Sequence, residues 1–396
     1  MAVLILLVPL LIWAGAKLVT WYFKNKLARL EKKIADHAAV TEDLAAELGL
    51  PAGEELDLSR PGPPTRGTAV VAAARPAAEK GDWKPFAEYL AEAGEDWDVR
   101  YHRLQPIAEA AAEEDGWLKA WQAAEPGSPD AALVHATALI ELAWEVRSAK
   151  QAKHVSREQF EAFHRILGEA VAASDVAAEL APADPSPWVS RLPVAMGLGW
   201  SHEEFGAVWD EVVRRAPHHY SAHQTALQYW CAKWRGSHEL MTAFADRAAA
   251  DAPPRSLLSG LRLVALHELE FTQDDYSAWQ TPEAQHALDR VLADLETVPA
   301  DDHRVPALRQ LLAYGLTHNR RWAEAVEQFR LIGKYIGGAP WTYTGDPAGV
   351  FLQIRNRALR GWHEAGRPAL PSAGAGGSAA SGAGASDAES ETAGGR

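Results

Sequence analysis

The chain has 396 residues, 53 acidic against 39 basic side chains, a formal net charge of -14, 47% apolar residues and one cysteine. A disulfide framework within the chain is excluded, because Cys231 has no second thiol to pair with. The acidic balance and the absence of an evident basic face argue against nucleic acid as a partner, and the composition points instead to an Ala-rich, Trp-rich globular protein.

Residues 2–23, AVLILLVPLLIWAGAKLVTWYF, are an apolar run broken only by Lys17. At about 1.5 Å per residue a helix over this run is roughly 33 Å long, enough to cross a hydrocarbon core of about 30 Å. Lys17 can snorkel to the interface, where Trp21, Tyr22 and Phe23 supply an aromatic belt. The run is therefore expected to be one transmembrane anchor. Lys24, Lys26, Arg29, Lys32 and Lys33 follow it, which by the positive-inside rule keeps the C-terminal body in the cytoplasm. The alternative is a signal peptide cleaved after Ala14-Gly15-Ala16, which would make the body an extracytoplasmic binding protein; the lack of a charged n-region speaks against it.

Residues 24–50 read as a juxtamembrane helix. Leu27, Leu30, Ile34, His37, Thr41, Leu44 and Leu48 fall at heptad spacing, a stripe that would either lie on the body or the membrane surface or zip two copies into a homodimer through residues 27–48. Residues 51–68, with SRPGPPTRG inside, read as a stiff, extended linker.

From residue 69 to residue 365 there is no convincing period-2 alternation, and apolar residues recur at three and four instead. In PDAALVHATALIELAWEVR the apolar set Leu133, Ala136, Leu139, Ile140, Leu142, Ala143 and Val146 recurs at three and four, with Pro129 and Asp130 marking the start. Helices end at Pro182, Pro217 and Pro253, in steps of 35 and 36; the steps to Pro299 and Pro340 are 46 and 41, and the step from Pro126 is 56. A period near 35 with two helices per unit signals a solenoid of helical hairpins, about seven of them. Residues 366–396 are nearly all Ala, Gly, Ser and acid, a composition expected to stay disordered.

The repeat unit resembles the tetratricopeptide family. In ALRQLLAYGLTHNRRWAEAVEQF the family's large, small, aromatic, small, aromatic pattern is met by Leu312, Ala313, Trp322, Ala325 and Phe329. An earlier unit keeps Trp188, Gly199 and Pro217, and the next keeps Gly236, Phe244, Ala248 and Pro253. The chain also resembles an uncharacterised group of Trp-rich helical arrays from high-GC bacteria. The resemblance implies an all-α, tetratricopeptide-like solenoid in which the first helix of each hairpin lines a concave groove. It places Gln310, Tyr314 and His318 there, and His223, Tyr229, Trp230 and Lys233 in the unit after Pro217, so that aromatic and cationic side chains would hold an extended peptide. Trp83, Trp117, Trp144, Trp188, Trp209 and Trp322 are expected to fill the spaces between helices.

No local motif for catalysis is present. The HE dipeptides at His202, His238 and His267 lack the second histidine of a zinc protease, GKYIGG lacks the residues of a P-loop, and Cys231 reads as a packed thiol. His219 and His223, four apart, are the one metal candidate; with no third ligand evident they read otherwise as surface histidines at a helix N-terminus. No cofactor is implied. The expectation is a non-enzymatic, membrane-anchored scaffold or adaptor for a protein or peptide partner, with a metal-dependent or hydrolytic enzyme on the same helical body as the alternative.

Overall fold

A computed structural model describes residues 40–147 and 156–371. The apolar run at 2–23, residues 24–39 of the juxtamembrane segment and the tail from 372 lie outside the described residues. Among the described residues the protein is all-α, and no helix is long and apolar enough to cross a membrane. In chain order the helices are α1 (residues 40–47), α2 (Arg66–Ala78), α3 (Lys84–Ala91), α4 (Trp97–Glu113), α5 (Gly116–Ala124), α6 (Pro129–Arg147), α7 (Arg157–Leu180) and α8 (Ser186–Leu198). They continue with α9 (His202–Arg215), α10 (Tyr220–Tyr229), α11 (His238–Ala250), α12 (Leu261–Gln273), α13 (Pro282–Leu295), α14 (Val305–His318), α15 (Trp322–Ile332) and α16 (Pro347–Glu364).

Local chemistry sets most of these boundaries. Asp96, Ser156, Ser201, Ser237, Thr281 and Asp346 each accept a backbone N–H in the first turn of α4, α7, α9, α11, α13 and α16. Gln159 and Glu204 reach back to the capping serines, so two otherwise unpaired donors are satisfied reciprocally. The stops at Pro182, Pro217 and Pro253 fall just past the ends of α7, α9 and α11, as expected of a residue that cannot continue a helix. Gly199 closes α8 at φ 66°, a left-handed conformation that favours glycine.

From α6 onward the helices pack as consecutive pairs, α6 with α7, α8 with α9, α10 with α11, α12 with α13 and α14 with α15. Each even-numbered helix of this series also touches the next one, through to α16. One apolar cluster runs from Leu44 to Trp362, and a smaller one, including Ile140, Phe163 and Leu167, lies under α6 and α7. Trp117, Trp121, Trp279 and Trp341 are fully buried, Trp83 stacks on Trp121 at 5.1 Å, and Trp144, Trp188, Trp209 and Trp322 are partly buried against the clusters. Gly315 is required where α14 meets Trp279, because a Cβ there would sit 2.5 Å from the indole. Arg100 on α4 is buried; its Nε donates to Asp184 at 2.8 Å and its other arm pairs with Asp130, tying α4 to the starts of α6 and α8.

The segment expected to be a linker is docked instead. Asp57 pairs in parallel with Tyr335: its N–H donates to the Lys334 carbonyl at 2.8 Å and its own carbonyl accepts from Ile336 at 2.8 Å. Gln310 donates to the Pro61 carbonyl at 2.6 Å, and Arg355 to the Pro51 carbonyl at 2.6 Å. The prolines keep this stretch extended, and extended backbone left unpaired by its own chain finds donors and acceptors at the C-terminal end of the body. Residues 66–68 already belong to α2, so the helical body begins earlier than residue 69. Thr41 and Leu44 of the heptad stripe are 2% and 1% exposed within the chain's own core, and Leu27, Leu30, Ile34 and His37 lie outside the described residues. At the other end the chain returns onto α16: Trp362 donates to the Pro368 carbonyl at 2.8 Å and Leu370 packs on the core, so order extends past residue 365.

Candidate functional site

A cavity of about 510 Å³ lies among α4, α6, α8, α10 and the start of α14. α4 contributes Tyr101, His102 and Gln105, spaced so that they share one face; α6 adds Glu141 and Trp144, α10 adds Tyr220 and Gln224, and the turn into α14 adds His303, Arg304 and Ala307. His102 and His303 come from distant parts of the chain and stack at 4.1 Å between ring centroids, 21° from parallel. Burial lowers the pKa of both; that of His303, with His102 facing it, falls to about 4, so the stacked rings are neutral near pH 7.

The charges in and around the wall are unequally spent. Arg304 donates to Asp302 at 2.9 and 2.7 Å and to the carbonyls of Arg255 and Ser256 at 3.0 and 3.4 Å, so its guanidinium is already engaged. Glu141 makes neither a hydrogen bond nor an ion pair with the described residues, and burial, reinforced by nearby Glu109, raises its pKa. Tyr101 and Gln105 are hydrogen-bonded to each other, as are Tyr220 and Gln224, while Trp144 Nε1 and His303 Nε2 are buried behind the lining with no protein partner.

The groove residues expected from the resemblance do not line this cavity. Gln310, at 0% exposure, is consumed by the Pro61 and Tyr335 carbonyls, the latter at 3.2 Å. His223 is buried with Nδ1 on the His219 carbonyl at 2.9 Å, and Tyr229 is buried with its hydroxyl on the Trp200 carbonyl at 2.9 Å and its ring stacked on Phe205 at 3.8 Å. Trp230 meets Phe205 edge-on at 5.6 Å. Lys233, Tyr314 and His318 converge on α12 instead. α10 and α14 do border the cavity, but with Tyr220 and Gln224 and with the first turn; His223, Tyr229 and Trp230 are turned onto α9 and α11, and Lys233, Gln310 and Tyr314 onto α12 and the docked segment 57–61.

The network around α12 is largely self-satisfied. Glu268 accepts from Lys233 Nζ at 2.7 Å, the Tyr343 hydroxyl at 2.8 Å and Gln228 Nε2 at 3.1 Å. Burial pushes its pKa up, but these partners outweigh burial and hold it below its ordinary value. Glu270 accepts from Trp279 Nε1 at 2.5 Å and from the Tyr314 hydroxyl; there burial wins and the pKa is raised. His267 sits edge-on to Tyr343 at 4.9 Å with neither nitrogen bonded, and Tyr276 stacks on His318 at 5.0 Å.

His219 is buried rather than on the surface: its Nδ1 accepts from the Ala222 N–H at 3.3 Å, capping α10, and faces Asp98 at 3.2 Å. The His219–His223 pair gathers no further ligand, and among the described residues no group of three or more His, Cys, Asp or Glu side chains is placed to hold a metal. Cys231 is buried, with its Sγ on the Leu227 carbonyl at 3.4 Å, and burial pushes its pKa up to about 12. It is a thiol at neutral pH.

Sequence reasoning missed the cavity residues because no local window contains them. The one local signal was Tyr101, His102 and Gln105 on a single turn of α4. No family model matches the chain, and neither a curated protein nor a solved structure matches it.

Proposed function

We propose that this chain is a non-enzymatic binding protein, a membrane-anchored scaffold or adaptor whose cavity receives a short segment of a protein or peptide partner. The observation that carries the reading is the cavity itself: about 510 Å³, framed by α4, α6, α8, α10 and α14, with the unpaired carboxyl of Glu141 in its wall. That volume is in the range of sites that enclose small ligands, so it fits a few residues of a chain rather than a folded domain. The succession of helix pairs, each even-numbered helix touching the next, supports a tetratricopeptide-like stacking of hairpins with those helices inward. In this reading residues 2–23 anchor the chain, the body faces the cytoplasm, and tethering raises the local concentration of the captured partner.

The test is a photo-crosslinking side chain placed at Ser221 in the cavity wall, or at Asp210 on the exposed face of α9, in cells that produce the full chain. A peptide adduct from Ser221 that is absent from Asp210 and lost when Ala307→Trp covers the exposed rim supports the reading. Adducts that ignore both controls refute it.

A further inference from the structure

We infer that the N-terminal arm, residues 40–62, is exchanged between two copies of this chain, each arm docking on the C-terminal end of the other body. The second copy then contributes to the site described above. Pro61 lines the cavity, so in the exchanged pair each cavity is completed by Pro61 of the other copy. The inference does not depend on what the cavity binds.

The surface that the arm covers is built from residues remote in the chain. Asp57 bridges to Lys334 and Ile336, and the Arg60 carbonyl accepts from the Gly337 N–H at 2.8 Å. The Pro61 and Pro51 carbonyls take Gln310 and Arg355, and Glu47 pairs with Arg367 at 3.0 Å. Between the arm and α2 stand only Pro63, Pro64 and Thr65, all three exposed. The chain bends at residues 61–63 to reach its own body, and the two prolines restrict the φ angles open to that bend. Contacts made across so short a joint are the same whichever copy supplies the arm, so exchange gives up none of them and asks only for a change at the joint. Because it is reciprocal, both surfaces are refilled, and the pair closes on a two-fold axis with no free arm left to recruit a third copy.

The occupant that fits is this chain's own arm rather than a foreign extended peptide. The carbonyls met by Gln310 and Arg355 belong to Pro61 and Pro51, ten positions apart, and Thr41 and Leu44 of α1 are buried as well. The stretch between is held mainly by its backbone: residues 52–55 are exposed and Leu58 is 47% exposed. An extended peptide without the helix would lose the apolar burial that α1 supplies.

The experiment uses full chains with two tags. Chains carrying Asp57→Cys with one tag and Tyr335→Cys with the other are co-produced, extracted in detergent and treated with a short bis-maleimide. Asp57 and Tyr335 are bridge partners, so the reagent joins the tags where the arm of one copy lies on the body of the other. Cys231 is buried, with its pKa pushed up to about 12, and does not compete. The expected result is a product carrying both tags. Inserting six Gly and Ser residues between Pro63 and Pro64 frees the arm to return to its own body and is expected to lower the yield roughly threefold or more. Deleting Pro63 and Pro64 in both chains is expected to raise it.

Absence of the doubly tagged product overturns the inference; an internal link in a chain carrying both cysteines then shows that the arm stays on its own body. A product that forms as readily when Asp210→Cys, on the exposed face of α9, replaces Tyr335→Cys also overturns it, because it reports collision in the micelle. So does a yield that ignores both changes at the joint. A urea melt of each variant confirms that it folds.

Discussion

The cavity wall and the network around α12 are built from the same residue types in the same helical setting, yet they end in opposite states. Glu268 has three donors and Glu270 two, whereas Glu141 has none among the described residues. A buried carboxylate whose bonds close on one another holds helices in register. A carboxyl left open in a cavity contributes little to holding the fold and is available to something that enters. The lesson is that the partner of a polar group, not its burial or its type, separates architecture from recognition here.

The sharpest way to break this contrast is to remove one carboxyl from each region. Glu268→Ala strands Lys233, Tyr343 and Gln228 and is expected to cost about 3 kcal/mol or more in a urea titration. Glu141→Gln removes an unpaired, desolvated charge and is expected to leave stability unchanged within about 0.5 kcal/mol, or to raise it. Equal costs at the two sites would erase the distinction.

Acid titration separates the regions next. His223, His267, His303 and His318 are each lowered to about 4 from an ordinary 6.5, with burial the main cause. The folded value lies below the unfolded one, so the unfolded chain takes up protons first as pH falls. Stability is therefore full above pH 6.5 and is lost progressively towards pH 4, by up to about 3 kcal/mol for each ring. His267→Phe, in the α12 network, is expected to make the slope of stability between these limits shallower in urea titrations at pH 7.5 and pH 5. An unchanged slope would mean that His267 does not titrate there.

A smaller effect contrasts two indoles. Trp279→Phe deletes the buried bond to Glu270 and should cost about 2 kcal/mol, while Trp144→Phe has no bond at Nε1 to lose and should cost under about 1 kcal/mol without ligand. The smallest is Ala307→Trp at the exposed rim, expected to change the thermal midpoint negligibly while blocking entry to the cavity. A large loss of stability there would show the rim to be packed rather than open.

The helices and their ends were legible in the sequence because their causes are local. Pro129 with Asp130 at the start of α6, and the prolines after α7, α9 and α11, act within a few residues. The packing role of the tryptophans was legible for the same reason, since large apolar rings at helical spacing are driven inward wherever they sit. The orientation of α10 and α14 was not. Whether Gln310, Tyr314 and His318 look outward or inward depends on segment 57–61, on α12 and on Tyr276, which are brought there by the fold and not by neighbouring sequence. The cavity was hidden by the same distance, since the members of the His102–His303 stack are 201 residues apart in the chain.

The bridge between Asp57 and Tyr335 also imposes an order of events during synthesis. Residues 51–62 leave the ribosome roughly 280 residues before Lys334, Ile336 and Arg355, which supply their hydrogen bonds. At 5–20 residues per second the wait is roughly a quarter of a minute to a minute. Through that interval the Asp57 backbone lacks both of its bridge partners, and the Pro51 carbonyl lacks Arg355. The body is thus fastened by later residues to earlier ones, and a nascent chain stopped before Lys334 is an unlatched clasp, however many of its helices have already formed.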